Sequence, residues 1–227
     1  TIGIFYRTTG MTMQEFVDNG YAEEGKAYDS YGNEIENWSS YWTYYEPSEN
    51  ASGNTVRLKG STLTTPIPVI VNKNVITSTY YMFYNNWITN IDLSEWDSSN
   101  ITSMERMFYG CSKLTELNLS GVDTSKVTNM SYMFSGCYKL PSLDVSSFNT
   151  SNVINMKYMF DGCRAFTSLD VSNFNTRKVM NMSNLFNGCT FLANLDLSSF
   201  DTSNVTDMSQ MFCNCTKLKT LNVSSFD

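Results

Sequence analysis

The sequence predicts an α/β repeat protein. The expected architecture is a right-handed solenoid with parallel strands on one face and short helical turns on the other, behind a small α+β N-terminal segment. Three observations carry this. A 26-residue pattern runs from Met82 to the last residue. Apolar residues recur at fixed places within it, as a stack of coils requires. Residues 1–75 lack the period and are rich in Tyr and Trp.

The repeat is marked by Met-Phe pairs at positions 82, 107, 133, 159 and 211, with Leu185-Phe186 filling the gap. Cys111, Cys137, Cys163, Cys189 and Cys215 keep the same 26-residue step. Five copies are nearly full, and a sixth, begun at Met211, stops at Asp227. The first copy is one residue short and lacks the Gly-Cys, as befits an adapted first coil.

Each element has its own signature. In L-x-x-L-x-L, for example Leu140, Leu143 and Val145, the last two apolar residues are two apart, the period of a strand. In Val127, Met130, Met133, Phe134 and Cys137 the steps are mainly threes, which predicts a helical or 3₁₀ turn across the coil. Gly110, Gly136, Gly162 and Gly188 are expected to end that turn in a left-handed conformation, with Asn214 in the last copy. The Asp/Asn-Thr-Ser segment between the two is turn chemistry, through side-chain bonds to nearby backbone. Right-handedness follows from the general preference of parallel crossovers.

These motifs resemble the BspA-like leucine-rich repeat surface proteins of bacteria, in the variant that carries L-D-L-S-x-F-D-T-S-x-V-T-x-M-x-x-M-F. The likeness covers about residues 80–227. It implies a leucine-rich-repeat solenoid in a secreted or wall-attached protein, often an adhesin. Similar repeats also occur in phage-borne surface proteins. The resemblance brings no catalytic residues.

The chain divides into an N-terminal cap or linker domain, 1–75, and a solenoid, 76–227. The open end of a solenoid needs cover, so the first segment is expected to cap the first coil. The alternative is a separate binding domain built on Tyr21, Tyr28, Tyr31, Trp38, Tyr41, Trp42, Tyr44 and Tyr45. Residues 11–21 read as a short helix with Thr12 as N-cap, Glu15 three residues on and Gly20 as the stop. Thr55–Leu63 and Pro68–Thr77 read as strands, and Pro66 and Pro68 place the second at an edge.

Composition narrows function. The 227 residues carry a formal net charge of −7 and no histidine. That removes the Ser-His-Asp triad, the Cys-His pair and the imidazole switch. The 15 Lys and Arg form no basic run, against nucleic-acid binding. No apolar run spans a membrane. The chain starts at Thr1, which suggests a processed protein or an excised fragment. The sixth coil ends without a polar capping segment. Either the natural chain continues, or another chain, a second copy included, covers that end.

No catalytic residue, metal ligand or cofactor site is expected. The cysteines read as small buried hydrophobes, too far apart for disulfides if coils sit about 8–10 Å apart on a helical side. Asp92, Asn118, Asp144, Asp170 and Asp196 fall between the strand apolars and form a ladder on the exposed face. It either holds Ca²⁺ or a glycan, or bonds its own neighbours. Where coils differ, Tyr132, Tyr138, Lys139, Tyr158 and Arg164 are expected to form one aromatic and basic patch. The expected function is a non-enzymatic, extracellular bacterial surface protein, adhesin-like, binding protein or glycan on a host or microbial surface. A phage or virion tail-associated receptor-binding protein is the alternative.

Overall fold

A computed structural model describes residues 2–47 and 52–227. From residue 78 onward the chain forms a stack of coils in parallel register. The bridged row Ser78, Ser103, Asn129, Asn155, Asn181 and Asp207 advances by one repeat at each step.

Backbone hydrogen bonds tie each coil to the next at alternate residues. Met104, Arg106, Phe108 and Gly110 donate to the carbonyls of Asn129, Ser131, Met133 and Ser135 at 2.8–3.0 Å. The same ladder recurs one coil on, from Met130 to Asn155 and from Gly136 to Asp161. Intervening N–H groups close i→i+3 turns, as from Met107 to Met104 and from Tyr109 to Arg106. Of the expected helical or 3₁₀ turn, only single i→i+3 turns are present, and they do not join into a helix. Among the described residues, 76–227 hold no helix, and this side is a second parallel ladder made of successive turns. Left-handed residues at Arg106, Tyr132 and Tyr158 (φ 55–58°) and at the glycines (φ 70–81°) break each helical turn before it can propagate.

The spacing inferred from a helical side is corrected with it. Phe83, Phe108, Phe134, Phe160, Phe186 and Phe212 stack nearly parallel, with centroids 5.4–6.0 Å apart. Coils lie at sheet spacing, well under 8–10 Å. The cysteines are nonetheless all free. Each core thiol donates back to a Phe carbonyl of the preceding coil, from Cys111 to Phe83 at 3.0 Å through Cys189 to Phe160 at 3.2 Å. Burial pushes the Cys111 thiol up to about 12 and Cys137 and Cys163 well above the usual range. The Met row is buried from Met104 to Met182, and Met208 in the last coil is half-buried.

The strand side is less regular than the sequence predicts. Asn90–Asp92 (β6) pairs in parallel with Glu116–Asn118 (β7), and Asn194–Asp196 (β8) with Thr220–Asn222 (β9). The two coils between carry no strand pairing there. Thr115, Ala193 and Lys219 each donate to the preceding coil, and the equivalent Pro141 has no N–H.

At the third corner a buried Thr hydroxyl substitutes for backbone pairing. Thr124 Oγ1 donates to Asn149 O and accepts from Asn149 N, at 2.9 and 2.8 Å. Thr150 repeats this with Asn175, and Thr176 with Asp201. The Asp/Asn side chain before it accepts from the Ser N–H two residues on, as in Asp123 to Ser125. The Asp-Thr-Ser motif is thus one turn bond and one coil-to-coil clamp.

The N-terminal segment packs on the first coil. Helices Ile4–Thr9 (α1) and Met13–Asp18 (α2) open it, and α2 carries the expected Thr12–Glu15 capping box. Ala27–Tyr28 (β1), Ile70–Val71 (β4) and Asn74–Val75 (β5) form one antiparallel sheet, and Trp42–Tyr45 (β2) pairs with Thr55–Leu58 (β3). Two strand expectations are corrected. The strand expected over Thr55–Leu63 ends at Leu58. Pro68–Thr77 folds as the β4–β5 hairpin, because Asn72 and Lys73 both take positive φ (51° and 65°) in a two-residue turn. β4 is central in its sheet rather than an edge, since Pro66 and Pro68 precede the paired residues. Trp42 is fully buried against Phe83. Asp97 accepts from the Phe5 N–H at 2.6 Å and its own N–H donates to Ser30 at 2.7 Å. One apolar core therefore runs from Phe5 through the coils. Of the candidate aromatic cluster, Tyr28 and Trp42 serve that core, and Tyr21, Tyr31 and Tyr41 are exposed.

Phe134 contacts rings on both sides, so Phe134→Ala should cost about 3–5 kcal/mol in denaturant unfolding. Native maleimide labelling should modify exposed Cys213 fast and the buried four not at all, and six thiols should react after unfolding.

Candidate functional site

The second ladder decides which side chains leave the stack. In Met104–Cys111, residues 104, 107, 108 and 111 face the core. The left-handed residue before each Met-Phe pair turns its side chain outward, and coil-to-coil bonds hold that otherwise disfavoured backbone. The resulting row is Tyr81, Arg106, Tyr132 and Tyr158, continued by Asn184, which is buried, and by exposed Gln210.

Its first four members form an aromatic and basic face. Tyr132 and Tyr158 stack at 4.6 Å with planes 6° apart. The Arg106 guanidinium lies 4.3 Å over the Tyr132 ring and also pairs with Glu105. Lys157 approaches the same ring at 5.9 Å. Tyr109 meets Tyr132 edge-on at 6.0 Å and stacks on Tyr84 at 5.8 Å. Rings prepositioned like this lose little freedom on binding.

Beside the face runs a groove of about 610 Å³. Its floor is Gly110, Gly136, Gly162 and Gly188, with Asn85 and Asn214 at the ends. Neighbouring glycines nearly touch: a Cβ on Gly136 would sit 3.3 Å from the Gly110 Cα. One wall is Tyr109, Ser135, Asp161 and Asn187, and the other Tyr138, Arg164, Thr190 and Phe191. Arg164 lies 4.6 Å over the Tyr138 ring. Asp161 accepts from Ser135 Oγ at 3.0 Å and from Asn187 Nδ2 at 2.8 Å. Burial raises its carboxyl, and those two bonds and Arg164 oppose the rise.

The residues of the expected patch fall on two adjoining surfaces that meet at Tyr109. Tyr132 and Tyr158 belong to the aromatic face, and Tyr138 and Arg164 to the groove. Lys139 is exposed and lines neither. Tyr109, Asp161 and Asn187 were missed by the sequence reading. Their signal was available in the variable residue between the Met-Phe pair and the Gly, read down the column as Tyr109, Ser135, Asp161 and Asn187.

The Asp/Asn ladder is exposed, as alternation requires. Each member also has a local partner. Asp92, Asp144, Asp170 and Asp196 accept from the Ser N–H two residues on at 2.9 Å, and Asn118 does the same at 3.0 Å. Those Ser bonds hold the four carboxyls below their usual range. Among the described residues no three Asp, Glu or Cys side chains converge as a metal site.

Fold and surfaces together define a stacked-coil repeat protein that presents side chains from successive turns on one rigid face. The chain belongs to the family described as "Mycoplasma protein of unknown function, DUF285", whose model matches residues 77–169 and 165–227. Among solved structures it is similar to a leucine-rich repeat protein of T. pallidum, at 15% identity and TM-score 0.48, over 80% of this chain and 89% of that one. It is also similar to a leucine-rich repeat protein from Bacteroides ovatus, at 20% identity and TM-score 0.47, over 82% of this chain and 53% of that one. No curated protein matches significantly. Among the described residues no helix is long and apolar enough to cross a membrane.

A carboxylate with a lowered folded pKa stabilises the fold above its unfolded pKa and loses that contribution as pH falls through the folded value. Melting temperature should therefore drop in acid. Asn118 makes the same bond uncharged, so D144N/D170N/D196N should keep the neutral-pH fold and flatten the acid limb of melting temperature against pH.

Proposed function

We propose that this is a non-enzymatic, adhesin-like protein of the bacterial cell surface that binds a protein or glycan on a host or microbial surface through its coil stack. The observation that supports this most is the aromatic and basic face. Tyr and Arg are the residue types that dominate binding hot spots, and here Tyr109, Tyr132, Tyr158 and Arg106 are held ring against ring by the coils beneath them. The likeness to BspA-type surface repeats points the same way. Core rows, coil-to-coil clamps and turn bonds account for most of each repeat, and the outward side chains that remain are of recognition type.

Retention of purified protein on cultured epithelial cells and on bacterial cells, read by flow cytometry, tests this. Y132A/Y158A should weaken retention by about tenfold or more, a loss of about 1.4 kcal/mol, with the melting temperature little changed. Retention equal to the unsubstituted protein would remove the face from the binding surface.

A further inference from the structure

The groove beside the aromatic face has a different chemistry from it. We propose that it binds a linear, uncharged oligosaccharide laid along the stack, about one pyranose per coil. The inference goes beyond the aromatic face and, Tyr109 apart, uses other residues.

Four features of the groove select this ligand. First, the floor has no side chains. Glycine at successive coils leaves a trough into which the Asn85 amide, over Gly110, and the Tyr138 ring, against Gly136 and Gly162, project from the sides, so a ligand entering it meets Tyr138 directly. Second, the floor backbone is already bonded. Gly110, Gly136, Gly162 and Gly188 donate to the next coil, and their carbonyls accept from Ser112, Tyr138, Arg164 and Thr190. An added peptide strand finds no backbone ladder to join, so recognition falls to side chains.

Third, those side chains suit hydroxyl-rich rings. Tyr138 and Phe191 are exposed residues, 45% and 56% accessible, and the ring surface of Tyr138 that Arg164 leaves open, with the Phe191 ring, can take the C–H faces of sugars. On the two walls, Asp161, Asn187 and Arg164 are planar groups whose acceptors and donors beyond the Ser135, Asp161–Asn187 and Asn214 bonds suit vicinal hydroxyls. Asp161 and Arg164 offset one another's charge, which favours an uncharged chain over a polyanion or polycation. Fourth, the period fits. Coils repeat at sheet spacing, about 4.8 Å, close to the advance of one pyranose in an extended chain. An extended peptide presents side chains to one face only every ~6.7 Å, out of step with the coils.

Titration calorimetry on the full chain tests this, with cello-, chito-, laminari- and xylo-oligosaccharides of two to six units and polygalacturonate fragments as charged comparators. At least one neutral series is expected to bind, with affinity rising as the chain lengthens toward the six floor rows from Asn85 to Asn214. Tyr138→Ala should weaken the best ligand at least tenfold and Tyr138→Trp should retain it. Asn187→Ala should also weaken it, and Arg177→Ala, outside the groove, should leave it unchanged. The inference is overturned if no neutral series binds, if only charged chains bind, or if Tyr138→Ala binds as well as the unsubstituted protein. Cell retention lost in Y132A/Y158A, with no oligosaccharide bound, would remove the groove inference and leave the surface-binding reading intact. Groove binding with no cell retention would do the reverse.

Discussion

Everything in this molecule depends on coil-to-coil registry. Alternate N–H groups of Met104–Gly110 reach the next coil, and Phe108 lies flat between Phe83 and Phe134. Each coil must return the same ring to the same place at ring-stacking distance. The backbone ladder sets the distance, and the Phe column fills the interior at that distance. Insertion of a single residue would move a Phe out of the column and an N–H out of the ladder together. This is why the period is strict where the side chains are buried and free where they are not.

The same registry creates the outer surface. A left-handed residue such as Tyr132 is disfavoured in isolation. Here its N–H is bonded to Lys157 O at 2.9 Å, and its ring is covered by Tyr158 and Arg106. The strain is distributed over bonds that repeat in every coil. The glycine row is the complement of this. Where the chain takes positive φ with no side chain, neighbouring coils close up and a trough is left between two walls. One face therefore offers rings for a broad contact, and the trough beside it suits something narrow.

The N-terminal segment completes the stack by making the first coil interior. Trp42 takes the place that a preceding coil's Phe would occupy against Phe83. Asp97 holds α1 by accepting from the Phe5 N–H. At the other end Phe212 and Phe226 are only partly covered, and Leu221 and Val223 are exposed, because among the described residues no further coil lies over them.

Much of this was legible in the sequence. The 26-residue step, the Met, Phe and Cys core rows, the left-handed glycines and the Thr12 capping box all rest on local chemistry or on identity repeated at a fixed interval. Most of the misreadings share one cause. Steps of three in Val127–Cys137 fit a helix within one coil, but the deciding hydrogen bonds run between coils, and no single repeat shows them. The cysteine spacing failed with it. Pro141 acted through a missing N–H whose partner would lie one coil away, whereas the Asn72-Lys73 turn was a local signal that the reading of Pro68–Thr77 as one strand passed over. The candidate patch was drawn from neighbours in sequence, and Tyr138 parted from Tyr132 because the glycine turn lies between them. The sequence by itself determined the period and the contents of the core, since both follow from which residues recur. Only the tertiary structure decided the spacing of the coils, the faces on which Tyr132 and Tyr138 emerge and the groove between the walls, since each is a relation between residues one coil apart.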